Sequence, residues 1–221
     1  MPTKTPLMLL EIVLLPGTQA ALRVEDEDAR KVLSKAYNAG SPIGVLYCED
    51  VDNAVETAAK VGCLAKLTEL KSYEEEQGVM AQLEGSERFI PSAIQEEQNG
   101  LFYADYKPLP EDVDMTLDDK IFDSVLHLLD IYLDYLNTID PEMVEDMPED
   151  LSGFDLTYLV LDHMSVSEDT RQHALEIVSM KERAQFCVSL LRQEIERLKF
   201  LIDGATEPQE EDDMERPERM N

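Results

Sequence analysis

The side chains best suited to acid–base or metal chemistry are scattered along this chain of 221 residues. His127, His163 and His173 fall on separate predicted helices or at their ends, and none belongs to an H-E-x-x-H zinc motif. None of the nine glycines precedes a lysine, so the sequence has no G-x-x-x-x-G-K-[ST] phosphate-binding loop. We therefore expect no catalytic residue, no metal site and no cofactor.

Carboxylates are abundant, but they do not form a recognisable active site. Glu74-Glu75-Glu76 and the segment 146–150, in which Asp146, Glu149 and Asp150 are acidic, form clusters, yet neither has the spaced oxygen ligands and central glycine of an EF-hand. The only glycines four positions apart, Gly40 and Gly44, enclose Pro42 rather than the serine of a nucleophile elbow. Solvated loops are the better interpretation of both clusters. A hydrolase with an unrecognised acidic site stays open as an alternative.

The net charge of the chain excludes classes of binding partner more clearly than these motifs do. The chain carries 48 acidic and 19 basic residues, a formal charge of −29. Nucleic-acid phosphates and anionic membrane surfaces repel such a chain, so we expect neither as a partner. Cys48, Cys63 and Cys187 are odd in number and lack C-x-x-C spacing, which favours buried thiols in a reducing compartment. We expect a cytoplasmic protein with a core, because 43% of its residues are hydrophobic.

The first 110 residues are dominated by predicted strands. Residues 26–39 predict a helix closed by Gly40, and residues 54–59 a helical turn. Apolar runs or period-two alternation predict about six strands. They lie in residues 7–15, 19–24, 42–48, 101–107 and, as the two arms of a hairpin with one apolar face, 61–89. Strands with short connections favour a small β-barrel or sandwich for this half of the chain. With the helices predicted after residue 110, the fold class is α+β.

After Pro110 the hydrophobic period becomes helical. A helix after Leu117, two short helices and a long helix opened by the capping box Ser179-x-x-Glu182 are predicted. We expect the short helices at residues 156–164 and 170–178, and the end of the long helix at Gly204. Residues 205–221 hold seven acids and two arginines, which predicts disorder. The chain thus divides into a β subdomain (1–110), a helical bundle (111–204) and an acidic tail (205–221).

The hairpin also carries a family resemblance. Val61-Gly62, Leu64-Ala65, Glu84-Gly85 and Glu87-Arg88-Phe89 resemble the centre of the Lon protease N-terminal, substrate-binding domain. Val13-Leu14-Leu15-Pro16-Gly17 and Pro42-Ile43-Gly44-Val45 are similar to the family's opening strands, and the likeness extends over roughly residues 7–203. It implies a PUA-like β-barrel followed by a helical bundle. The family-motif residues expected to be structural are Pro16, Gly17, Gly62, Gly85, Arg88 and Phe89.

Two differences from the family pattern matter. Residues 24–30 depart from its F-E-x-R-Y motif, so we expect different packing at the start of the first helix. The 221 residues also hold no ATPase or Ser-Lys peptidase module, so a stand-alone member is expected.

The resemblance implies a non-catalytic module that binds exposed apolar segments of unfolded or tagged polypeptides, or a protease partner. Candidate contacts are Met143, Met147, Phe154 and Tyr158, because methionine suits loose recognition and the group lies near a break between helices. Core packing is the competing interpretation, and the stronger one for Phe154 and Tyr158. An adaptor whose acidic tail regulates a protease is a third possibility. The oligomeric state is left open.

Overall fold

The computed structural model describes residues 4–73, 78–97, 101–111, 119–140 and 152–206. The strands are β1 Thr5–Leu10, β2 Gln19–Val24, β3 Ile43–Tyr47, β4 Gly62–Tyr73, β5 Gly78–Pro91, β6 Gln95–Glu96, β7 Phe102–Ala104 and β8 Tyr106–Pro108. The helices are α1 Glu27–Ala39, α2 Ala54–Thr57, α3 Asp119–Ile139, α4 Gly153–His163, α5 Glu168–Glu176 and α6 Met180–Thr206. The acidic clusters at residues 74–76 and 146–150, and residues 207–221 of the predicted tail, lie outside the described residues.

The sheet curls because its last two strands pair with different partners. Hydrogen-bonded neighbours follow the order β2-β5-β4-β3-β1-β7-β6. Strand β7 is antiparallel to β1, whereas β8 is antiparallel to the end of β5. Strands β7 and β8 follow one another in the chain, so the chain crosses from one end of this strand order back to β5. The sheet consequently curls towards a barrel. This arrangement, followed by helices, confirms the predicted α+β class with a barrel-like sheet.

The predicted strand at residues 7–15 is wrong in its second half. Strand β1 ends at Leu10, and its side chains alternate between buried and half-buried rather than being buried on both faces. The backbone N–H of Val13 donates to the Glu168 carboxylate at 2.6 Å instead of joining the sheet. Val13 and Leu15 pack into the core of the later helices, which explains why an apolar run continues beyond the strand.

The predicted strand at residues 101–107 is divided at Asp105. In a regular strand Tyr103 and Tyr106, three positions apart, would lie on opposite faces. The Asp105 carbonyl accepts from the Ser92 N–H at 2.8 Å, at the point where the chain leaves β1 and joins β5. Both tyrosines consequently line one groove.

The central hairpin and the first helix agree with the prediction. The Asp26 carboxylate accepts from the Ala29 N–H at 2.7 Å and caps α1, which ends at Gly40 with a φ of 60°. Strands β4 and β5 bury one alternating face against α1, and Leu33 and Ala36 are the helix residues that are fully enclosed. The buried residues of this face are Cys63, Ala65, Leu67, Val79, Ala81 and Leu83.

Helices α3 to α6 pack around one large core. It also takes in Val13, Leu15 and Val61 from the barrel, so the two halves share buried apolar surface. The division of the chain near residue 110 into subdomains stays a prediction. Among the described residues, no helix combines the length and the apolar character needed to cross a membrane.

The ends of the later helices differ slightly from expectation. The Ser179 hydroxyl accepts from the Glu182 N–H at 3.3 Å, as a capping box requires. Helix α6 runs through Gly204 to Thr206, so the predicted end at Gly204 is wrong. One glycine inside a helix costs only about 1 kcal/mol, which the packing of a long helix can offset. Helix α4 starts after Ser152, whose hydroxyl accepts from the Asp155 N–H at 3.1 Å.

Candidate functional site

The loop at Pro16-Gly17 locks onto β5 through two short backbone contacts. The Gly17 N–H donates to the Gly85 carbonyl, and the Gly85 N–H donates to the Thr18 carbonyl, both at 2.9 Å. A Cβ atom on Gly85 would lie 2.1 Å from the Leu15 carbonyl oxygen. Gly17 itself has a φ of 80°, which L side chains rarely adopt. These motif residues therefore hold the loop against the barrel.

Gly62 and Phe89 form the second close approach. They are opposite one another in the β4–β5 ladder. A Cβ on Gly62 would lie 2.4 Å from the Val45 carbonyl oxygen and 2.8 Å from the Phe89 ring. The ring is fully buried and meets the Tyr106 ring edge-on at a centroid distance of 5.6 Å. Both residues serve packing inside the barrel.

Arg88, between these contacts, reaches from the barrel into the helices. Its guanidinium contacts the Glu111 carboxylate, with 2.7 Å between Nη2 and Oε1. Arg183 of α6 contacts the same carboxylate at 2.8 Å, and the Tyr158 hydroxyl donates to it at 3.1 Å. The Arg183 guanidinium also lies 4.3 Å from the centroid of the Tyr158 ring. We call Arg88, Glu111, Tyr158 and Arg183 the junction cluster.

The junction cluster has two guanidinium groups and one carboxylate, and the end of α5 helps to balance the remaining positive charge. Arg88 donates to the carbonyls of Leu175 and Ile177 at 2.9 and 2.7 Å, and Arg183 donates to that of Ile177 at 3.0 Å. A helix C-terminus carries partial negative charge on such carbonyls. The cluster therefore ties β5, α4, α5 and α6 together.

Burial makes the junction cluster a structural element. Desolvation lowers the pKa of Arg88 and raises that of Tyr158, so the phenol keeps the proton that it donates to Glu111. The side chains of Arg88 and Arg183 are 1% and 0% exposed. The Glu111 side chain is 18% exposed and lines, with Arg88, a concavity of about 280 Å³ at the surface.

Of the four predicted polypeptide contacts, Tyr158 is the one whose side chain the structure describes. Tyr158 is fully buried in the junction cluster, because its ring packs on Arg183 and its hydroxyl needs the Glu111 carboxylate. This burial favours the core-packing interpretation for Tyr158. Phe154 lies on α4, but its side chain is not among those described, and Met143 and Met147 lie outside the described residues.

A groove beside α1 offers an accessible surface instead. It has a volume of about 430 Å³, within the range of ligand-binding clefts, and its floor is mostly apolar. We call it the α1 groove. Its walls come from the start of β1, the second half of α1 and the turn into β3, and from the tyrosines on either side of Asp105. Its lining residues are Lys4, Thr5, Pro6, Val32, Lys35, Ala36, Ala39, Ser41, Pro42, Tyr103 and Tyr106.

The charge of the α1 groove is opposite to that of the whole chain. Lys4 and Lys35 line it, and none of the described lining residues is acidic. Lys4 is held by the side-chain oxygen of Gln95. Burial raises the pKa of Tyr103, and Glu97 nearby adds to the rise, so the phenol stays protonated. The groove thus combines two ammonium groups, two aromatic rings and an apolar floor.

A second concavity, of about 340 Å³, separates the barrel from α5. The Tyr47 hydroxyl crosses part of it and donates to Asp169 at 3.0 Å. Burial, followed by this hydrogen bond, raises the pKa of Tyr47 to about 12. Among the described residues, no three His, Cys, Asp or Glu side chains converge as metal ligands.

Comparisons with known proteins bear on the fold and the family. The family model described as the ATP-dependent protease La (LON) substrate-binding domain matches residues 4–193. The chain belongs to this family. Comparison with curated protein sequences gives no match.

Solved structures share the fold of this Lon-type domain. A Lon N-terminal domain protein from Xanthomonas campestris superposes with a TM-score of 0.66 at 19% identity, over 85% of this chain and 98% of the other. The N-terminal domain of Mycobacterium avium complex Lon protease gives 0.63 at 16% identity, over 86% and 98%. These matches confirm the resemblance and the α+β fold predicted from the hairpin motif.

Proposed function

We propose that this Lon-type domain is a polypeptide-recognition module that makes no covalent change to what it binds. The observation that carries the proposal is the match of residues 4–193 to a substrate-binding domain. The α1 groove supports it and is our proposed contact surface. The described motif residues have a different role, because Gly17, Gly62, Gly85 and Phe89 make close packing contacts and Arg88 joins the junction cluster.

The shape of the α1 groove suits a short chain segment. A groove with an apolar floor gains binding energy by removing apolar side chains of a ligand from water. The two tyrosines add rigid, amphipathic contact area at low entropic cost, as tyrosines do at other recognition surfaces. Unfolded polypeptides expose such apolar segments, whereas folded proteins bury most of theirs.

The test is binding to one protein presented in two states. A reduced and carboxymethylated protein that cannot refold is compared with its native form by isothermal titration or fluorescence anisotropy. We expect the unfolded form to bind and the native form not to bind. Equal binding of both forms, or of neither, would contradict the proposal.

A matched pair of substitutions locates the surface. Ala39 is exposed on α1 and lines the α1 groove, whereas the adjacent Asn38 is exposed and does not line it. Ala39→Trp should fill the groove and weaken binding about tenfold, and Asn38→Trp should leave it nearly unchanged. Equal effects of the two variants would place the binding surface elsewhere.

A further inference from the structure

We infer that the α1 groove selects polypeptide segments in which aspartate or glutamate lies among apolar residues. This inference rests on the proposed function and adds the chemical class of the ligand. It follows from the pairing of Lys4 and Lys35 with an apolar floor. Carboxylates of a bound segment would pair with the ammonium groups of Lys4 and Lys35, while its apolar side chains cover the apolar floor of the same groove.

The local charge is informative because the rest of the chain is so acidic. With 48 acidic residues against 19 basic ones, most of the surface favours cationic ligands. A groove lined by two lysines and, among the described residues, by no carboxylate departs from that background. The acidic surface as a whole therefore attracts cationic segments and repels anionic ones. The groove, in contrast, attracts anionic segments through its two lysines.

This opposition predicts an unusual dependence on salt. The Debye length is about 30 Å at 0.01 M ionic strength and about 8 Å at 0.15 M. At low salt the net charge of −29 repels an acidic segment over the whole approach. At intermediate salt only nearby charges act, namely the two lysines that line the groove, offset in part by Glu97 near Tyr103. Affinity for an acidic segment should therefore rise and then fall as salt is added, whereas attraction to a basic segment should only fall.

The experiment uses the full chain and three short, N-terminally fluorescein-labelled peptides. The first alternates aspartate with phenylalanine and leucine and ends in an amide. The second has lysine in place of each aspartate. The third has asparagine in place of each aspartate and ends in a free carboxylate. Binding is followed by fluorescence anisotropy from low to high salt.

Lys35→Glu and Lys31→Glu form the matched pair of variants. Both residues lie on α1 and are exposed, and both substitutions change the net charge equally. Lys31 is ion-paired with Glu27 and Asp28 and does not line the α1 groove. We expect Lys35→Glu to weaken binding of the aspartate peptide about fivefold more than Lys31→Glu does, the size of an exposed ion pair lost and replaced by repulsion.

The peptide and variant measurements together decide whether the inference about acidic segments holds. Preference for the aspartate peptide, together with the larger effect of Lys35→Glu, supports the inference. Equal or tighter binding of the lysine peptide at intermediate salt, equal effects of the two variants, or a preference for the free-carboxylate peptide would overturn it. In each of those cases, a continued preference for an unfolded over a native protein would leave the proposed function standing.

Discussion

Replacing Glu111 by glutamine tests whether the junction cluster stabilises the fold. The carboxylate accepts from the guanidinium groups of Arg88 and Arg183 and from the Tyr158 hydroxyl. Glutamine keeps nearly the same shape but carries no charge, and its NH₂ group would face other donors. The two buried guanidinium groups would then face neutral acceptors in place of a carboxylate, among them the carbonyls at the end of α5, the Pro110 carbonyl and the Thr157 hydroxyl.

The expected loss is about 3 kcal/mol. Removing one partner of a buried ion pair costs about 3–5 kcal/mol. We take the lower end because the Glu111 side chain is 18% exposed and the α5 carbonyls remain as acceptors. With a urea dependence of about 2–3 kcal/mol/M, the midpoint of unfolding should fall by about 1–1.5 M.

Urea unfolding at pH 7 should be followed by far-ultraviolet circular dichroism and by tyrosine fluorescence, since the chain has eight tyrosines and no tryptophan. Glu69→Gln is the control, because Glu69 pairs with Lys71 on the exposed surface at 2.7 Å. Such a pair contributes about 0–1 kcal/mol. If Glu111→Gln shifted the midpoint no more than Glu69→Gln, with the same urea dependence, our account of the junction cluster would be wrong.

Three further outcomes follow from close contacts and buried protons. Gly85→Ala should destabilise the fold by about 3 kcal/mol in urea unfolding, because its Cβ meets backbone, whereas Gly40→Ala, in open space at positive φ, should cost only about 1 kcal/mol. Equal costs would contradict this. Burial raises the pKa of Cys63 and of Cys187 to about 12, so a thiol reagent at pH 8 should label both only after unfolding. Labelling in the native state would refute their burial. Because the pKa of Tyr47 is raised in the folded state, the unfolded state loses this proton first, near pH 10. The free energy of unfolding should therefore fall as the pH rises from 10 to about 12. Tyr47→Phe should make that fall smaller in urea unfolding measured across this pH range.

Much of the barrel could be predicted because its signals are local. Alternation in β4 and β5, the Asp26 cap and the glycine after α1 are each read from a few neighbouring residues, and the structure has them all. The strand at residues 7–15 was misread because burial of Val13 and Leu15 comes from the helices. An apolar run records that a segment is buried, but not which element covers it.

The junction cluster and the α1 groove were beyond prediction for a different reason. Arg88, Glu111 and Arg183 come together from three separate parts of the chain, and one sequence records no such pairing. One signal was available: Arg183 lies four positions before Cys187 on an otherwise apolar stripe of α6, a place where a charge requires a partner. The groove lacked even that signal, since its two tyrosines share a wall only after the chain turns at Asp105.

The interruption of the strand at Asp105 has two structural consequences. It lets β7 remain with β1 while β8 reaches β5, and it sets the rotation between Tyr103 and Tyr106. Inserting or deleting a residue here would invert one aromatic side chain relative to the other or misalign the seam of the barrel. The length of a connection is usually free to vary in the evolution of a domain, but here it is tied to both the pairing of the strands and the shape of the α1 groove.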